Sequence, residues 1–336
     1  MSIVQWMERK AARLALAVFI GASIAAGGLA QAQTFSVNAI TASTPNFQIV
    51  AAAGGGGETV FRMNSSTAAV TKISGNGSVV KGAPTRATIT IRCTGGGGCN
   101  GATATVTVQA TGTPSARVGA VSNFDMVSGT ATVVSESLSA GVLTATVSGW
   151  TSSNQNRTVL LAMDIPVNDD TVSTATTGTS QYLVTVTPGG GTGTGTATIT
   201  VRRQIAVAKT ADLSFGALRA PTTGSGTVTI SQSNGARSAG GTNPPVLLTG
   251  LTSGRAVFDI TGTPSTTVAI STTPTSSLDL VSGGDTITTT LVRSASTGTL
   301  SAAGALTVGV GGVLTVPANQ PGGDYTGSFT LTVNYN

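Results

Sequence analysis

Along residues 325–335 the apolar side chains Tyr325, Phe329, Leu331, Val333 and Tyr335 alternate with Thr326, Ser328, Thr330, Thr332 and Asn334, Gly327 being the one gap in the apolar set. Alternation of period two in β-branched and aromatic residues predicts a half-buried β-strand, one face in a core and one in water. Such a strand at the end of the sequence is expected to tie down a segment that commonly frays. Shorter runs of the same kind occur at residues 34–40, 88–92, 102–109, 141–148, 158–164 and 181–187, separated by Gly, Pro and Ser. No helical period competes with them. Many short strands with frequent turns predict an all-β fold of sandwich type, with a closed barrel as the alternative.

The pattern also repeats. Thr-Gly-Thr-Pro-Ser at 111–115 recurs at 261–265, and Phe124-Asp125-Met126-Val127-Ser128-Gly129 recurs as Leu278-Asp279-Leu280-Val281-Ser282-Gly283. Ile165-Pro166-Val167-Asn168 recurs as Val316-Pro317-Ala318-Asn319, and Val184-Thr185-Val186-Thr187 as Leu331-Thr332-Val333-Asn334. The offsets of 150, 154, 151 and 147 are collinear and predict two homologous domains. The Gly/Thr-rich residues 188–195 read as a flexible linker between them. The expected organisation is a leader over 1–32, a first sandwich over 33–187, the linker, and a second sandwich over 196–336.

Composition agrees with strands and turns, since only 9% of residues are charged and 40% are hydrophobic. Disordered chains carry the opposite balance. Arg9, Lys10 and Arg13 precede an uncharged apolar stretch at 14–29, and Ala30-Gln31-Ala32 fits a small-x-small cleavage site. This is the pattern of a cleaved signal peptide with a mature start at Gln33, which predicts export to the periplasm, cell surface or medium and membrane contact only in transit. The leader holds three of the 17 basic residues and one of the 12 acids, leaving 14 against 11. So small an excess makes no footprint for nucleic acid. In an exported chain the lone pair Cys93 and Cys99, around four glycines and a threonine, predicts a disulfide stapling a loop tip.

Candidate chemistry is sparse. Histidine is absent, which excludes Ser-His-Asp and Cys-His nucleophile systems and leaves no ligand set for zinc. Gly75-Asn76-Gly77-Ser78 lacks the ending of a phosphate loop and reads as a turn. Asp164, Asn168, Asp169 and Asp170 form one acidic cluster whose oxygens could serve calcium, but the spacing matches no calcium loop and a solvated turn after Pro166 is the favoured reading. Trp150 reads as core or as an exposed contact. No enzyme activity and no cofactor are expected.

The run Thr196-Ala197-Thr198-Ile199-Thr200-Val201, then Ala211-Asp212-Leu213-Ser214-Phe215-Gly216, then residues 323–335 resemble the exported bacterial family catalogued as domain of unknown function 4402. The layout is similar to that of spore coat U and archaic chaperone–usher pilin domains. The resemblance covers 196–336, and reaches 34–187 only through the repeat. It implies immunoglobulin-like, pilin-like sandwiches assembled by donor-strand complementation, in which a neighbour's extension fills the place of a missing strand. It also implies a periplasmic chaperone, an usher and like subunits as partners. Gly323, Tyr325, Phe329, Leu331, Val333 and Tyr335 would form the assembly strand. Residues 34–40 and the run Ala197, Ile199 and Val201, with Ile205 and Val207, are candidate donors. Two tandem domains suit a tip adhesin better than a shaft subunit. The expected role is therefore a structural or adhesive protein of the cell envelope. The alternative is a secreted monomer that completes its own sandwich and binds glycan or protein.

Overall fold

The computed structural model describes residues 32–41 and 45–336; the expected leader lies outside the described residues but for Ala32. Apart from a short 3-10 turn at Gly96–Cys99, the described chain is built of strands and loops. No helix among the described residues is long and apolar enough to cross a membrane.

The first unit holds β1 (Thr34–Thr41), β2 (Asn46–Ala52), β3 (Thr59–Met63), β4 (Val70–Ser74), β5 (Ser78–Lys81), β6 (Ala87–Thr94) and β7 (Thr103–Thr111). It continues with β8 (Ser122–Ser128), β9 (Thr132–Ser139), β10 (Val142–Ser148), β11 (Asn156–Val167), β12 (Thr177–Thr187) and β13 (Gly191–Arg203). One sheet runs β1-β6-β11, with β8 on the far edge of β11 and the β3–β4 hairpin beside its second half. The other runs β5-β2-β13-β12-β7-β10-β9. Alternation decides which residues face inward: Ala87, Ile89, Ile91 and Cys93 of β6 are buried while Thr88, Thr90, Arg92 and Thr94 are not. They meet Val106, Val108, Val184 and Val186 of the opposite sheet in one contiguous core. β1-β6-β11-β8 over β7-β12-β13 is the immunoglobulin order, four strands facing three.

The second unit holds β14 (Ala206–Ala211), β15 (Leu218–Arg219), β16 (Gly226–Ile230), β17 (Arg237–Gly240), β18 (Val246–Leu247) and β19 (Ala256–Thr261). Then come β20 (Thr267–Thr273), β21 (Ser277–Ser282), β22 (Asp285–Arg293), β23 (Thr297–Thr299), β24 (Ala305–Val316) and β25 (Thr330–Tyr335). β14-β19-β24-β22 repeats the four-stranded sheet, and β16 lies along the second half of β24 as β3 does along β11. The facing sheet is β23-β20-β25. Among the described residues β25 pairs with β20 on one side only.

Three expectations are corrected. The Gly/Thr run is not a linker but the first half of β13, paired antiparallel with β12 from Gly191 onward. Its glycines are spaced by two and face inward, where β1 and the Tyr182 ring lie. A Cβ at Gly193 would fall 2.8 Å from Val37 Cγ1, and one at Gly195 would overlap the Tyr182 ring. Only Pro188, Gly189 and Gly190 form the turn, the two glycines at positive φ that Cβ-bearing residues rarely adopt. The first sandwich therefore extends to Arg203. Second, only two of the four repeat matches occupy equivalent strands, those at the ends of β11 and β24 and those in β12 and β25. Thr-Gly-Thr-Pro-Ser follows β7 in one unit and β19 in the other, strands of opposite sheets, because it records turn chemistry rather than position. Leu278–Gly283 lies in β21, one strand further from β24 than β8 is from β11. Third, the C-terminal alternation forms a ladder only from Thr330. Residues 325–329 lean toward β21 through the Val281–Thr326 bridge.

The two units meet at the end of β13. Arg203 N donates to Thr263 Oγ1 at 2.6 Å, and Tyr335 Oη donates to Arg203 O at 2.5 Å while accepting from Thr263 N at 2.8 Å.

Candidate functional site

The first unit supplies its own template for reading the second. β13 lies between β12, to which it is antiparallel, and β2, to which it is parallel. Its apolar half fills the sandwich there: Ala197 and Ile199 lie opposite Ser180 and Gly178 of β12, and Ala197, Ile199 and Val201 are all essentially inaccessible. With β13 in place, Tyr182, Val184 and Val186 of β12 are fully buried.

In the second unit β25 takes the place of β12. The offset of 147 that aligns Val184–Thr187 with Leu331–Asn334 places residues 177–182 on 324–329. Along those residues the sandwich opens into a groove of roughly 1230 Å³. Residues 319–329 form one wall and residues 212–221 the other, the latter following β14 as β2 follows β1. The floor is apolar, with Ala256 and Phe258 of β19, Leu278 and Leu280 of β21, Ile287 of β22 and Leu314 of β24. Thr289 of β22 is the polar side chain of this floor. The buried hydrophobic residues fall into three clusters, bridged by the partly buried Leu213 and Leu331, where a domain normally has one. Leu331, Val333 and Tyr335 keep the predicted alternation but stop at half-burial.

Of the expected assembly residues, Tyr325 and Phe329 stand in the groove wall. The Tyr325 hydroxyl donates to Pro321 O at 2.9 Å and accepts from Gln320 at 2.7 Å. Phe329 sets its ring edge-on to Phe258, centroids 6.0 Å apart. Gly323 lines the groove rim against Ser282, whose side chain a Cβ would overlap. Leu331, Val333 and Tyr335 follow on β25 itself. The expected donors lie elsewhere: Ala197, Ile199 and Val201 are locked in the first core, and residues 34–40 form β1, paired with β6. Of the residues added to the second donor run, Ile205 packs partly buried beside β25 and Val207 sits exposed on β14.

Cys93 and Cys99 are joined in a disulfide around the glycine loop. Trp150 is buried against Phe35, its indole donating to Gln155 O at 3.1 Å, so it offers no exposed contact. The acidic cluster is dispersed among partners of the chain itself. Asp164 is buried and takes both ends of Arg62 at 2.8 Å and Asn123 at 2.8 Å; that carboxylate holds the Arg62 guanidinium above its usual pKa. Asp170 pairs with buried Arg117 at 2.7 Å. Asp169 accepts from the Thr171 hydroxyl at 2.6 Å and Gly57 N at 2.8 Å, hydrogen bonds that hold it below the usual carboxylate range. Among the described residues no group of three acids or cysteines is placed to hold a metal.

Leu213 and Phe215 of the second wall lie in a run that carried the resemblance but were given no site role, and Thr289 in the floor was missed. The first two alternate around Ser214, a signal too short to stand alone. Thr289 is one threonine in the run Thr288-Thr289-Thr290, and nothing local marks it.

Residues 205–335 match the family described as Domain of unknown function (DUF4402). A search of curated proteins gives no match. Among solved structures, the chain is similar to one from the CsuC–CsuE chaperone–tip adhesion subunit pre-assembly complex of archaic chaperone–usher Csu pili of Acinetobacter baumannii. Identity there is 11%, TM-score 0.28, covering 90% of this chain and 100% of the other. It is also similar to the CFA/I adhesin CfaE of enterotoxigenic E. coli, at 14% identity and TM-score 0.23 over 88% and 92% of the two chains. A third likeness is to the C-terminal domain of the AgI/II polypeptide BspA of Streptococcus agalactiae, at 12% identity and TM-score 0.22 over 83% and 96%.

Proposed function

We propose that this protein is an adhesive or structural subunit of the cell envelope whose second unit is completed by a β-strand from another chain. The observation that carries the proposal is the groove along residues 324–329, in the place that β13 fills in the first unit. Strand addition of this kind draws affinity from main-chain hydrogen bonds and specificity from alternate side chains in pockets. β25 offers the one, an unpaired edge among the described residues, and the apolar floor offers the other. An open edge beside an apolar floor is an aggregation hazard. A periplasmic chaperone covering it before handover to a like subunit meets that hazard.

Residues 34–40 and Ala197, Ile199 and Val201 are held within the first unit, and Ile205 and Val207 lie in the second. With its described donor runs so held, the chain is read as accepting a strand, which is the position of a tip subunit presenting a self-sufficient first sandwich. No part of the reading uses catalysis.

The test is to supply the strand. A variant carrying a second copy of residues 188–203 after Asn336 offers the groove the segment that fills the first unit. Burying its three apolar side chains should raise the melting temperature of the second unit by on the order of 10 °C. It should also abolish multimer formation in the native envelope. An unchanged melting temperature with multimers retained would overturn the proposal.

A further inference from the structure

The sheet that faces β14-β19-β24-β22 is in two pieces. β15 and β18 pair antiparallel on one side of the groove, and β23-β20-β25 stand on the other. In the first unit β13 joins the matching pieces, bonding parallel to β2 of the β2–β5 pair and antiparallel to β12. Each strand of the β15–β18 pair is two residues long, and so short a ribbon has little stability of its own. Arg237, the first residue of β17, ties it to the β16–β17 hairpin. Its guanidinium donates to Leu248 O at 3.2 Å through Nη1 and to Ala217 O through Nη2. Gly216, at positive φ, leaves the room, since a Cβ there would fall 3.1 Å from Nη1. The Arg237 Nε is buried without a partner, a cost to stability. The matching place of the first unit, the first residue of β4, holds Val70, packed against the core.

The ladder geometry says which groups this tie presents. Leu248 N donates to Ala217 O at 3.0 Å, so the Leu218–Leu247 pair is of the kind that exchanges no hydrogen bonds. The N–H and C=O of Leu218 therefore point away from β18, into the gap. Resting on the reading of the groove as a strand acceptor, we infer that Arg237 is a positioning residue for strand capture. It holds β15 as a second rail, so that the captured strand pairs on both edges. Leu218 meets the strand in parallel, as β2 meets β13, while β25 meets it antiparallel. In the first unit β13 belongs to the fold and secures β2 itself, so Val70 suffices. Without Arg237 the ordering of β15 would fall on the binding step and weaken it.

The test uses the full-length protein and a labelled synthetic peptide with the sequence of residues 191–203. Arg237→Gln should weaken peptide binding about tenfold, the scale of one hydrogen bond to a charged group. Arg237→Lys keeps the charge but reaches one carbonyl, and should fall between. An arginine with a merely structural part would lower the melting temperature and leave the affinity of the folded protein unchanged. Equal affinity in the wild-type and Arg237→Gln proteins overturns the inference and leaves the groove reading intact. If Arg237→Gln unfolds the second unit, equal affinity in Arg237→Lys overturns it in the same way. Binding of no peptide to the folded wild-type protein overturns both. A second readout is hydrogen exchange, which at the Leu218 amide should slow about tenfold or more when the peptide binds. Unchanged exchange there with the peptide bound shows pairing with β25 alone and overturns the inference.

Discussion

Single side chains show how differently two sandwiches of one design are finished. Tyr182 lies at the centre of the first core, its ring over Gly195 and tilted against Phe124 at 6.3 Å. Burial pushes its phenol well above the usual range, and the hydroxyl has no partner. Tyr182→Phe removes an unsatisfied group at constant packing, so it should stabilise the protein by about 1 kcal/mol, read as a rise of a few degrees in thermal unfolding. A destabilised variant would mean the hydroxyl is bonded. This feature was not legible in the sequence, because satisfaction of a hydroxyl depends on what other strands bring to it. The disulfide was legible, since two cysteines in a chain whose sequence reads as exported leave one pairing. The acidic cluster read as a turn, but its partners were not legible, because neighbours in sequence send their carboxylates to Arg62, Arg117 and Gly57, far away in the chain.

Strands were the most legible level, and β13 shows where that legibility ends. Period-two alternation located β6, β7, β12 and β25, because burial on one face is written directly into residue type. In residues 191–195 the inward positions are glycines, as β1 and Tyr182 take the room, and glycine spaced with threonine has the composition of a linker. At the other end, residues 325–329 have strand alternation without a ladder, and among the described residues no strand lies beside them as β13 lies beside β12. Phe329→Ser with Leu331→Ser tests that element. It places hydroxyls on the groove wall and the assembly strand, at a cost of a few kcal/mol to strand capture. Multimers should be lost from the envelope while Trp150 fluorescence, reporting on the first core, stays that of a buried indole. Retained multimers would show that capture does not use this strand.

At the scale of the whole molecule, the chain pairs a closed sandwich with an open one, joined at Arg203, Thr263 and Tyr335. The repeat pointed to two units, but two of its four matches fall on strands that are not equivalent. The boundary between the units was not legible, since the closing strand of the first carries the residues expected to open the second. The account's central claim is that the open unit is filled from another chain. It is tested most directly by immunoblotting native envelope fractions on an SDS gel, heated and unheated. Captured strands resist detergent kinetically, so the account predicts bands heavier than the monomer in the unheated lane, each heavier by whole partner subunits, collapsing to monomer on heating. Because the described donor runs are held within the chain's own two units, the purified chain alone should form no such ladder. Monomer in both lanes of the envelope sample would contradict the account and leave a self-sufficient secreted binding module in its place.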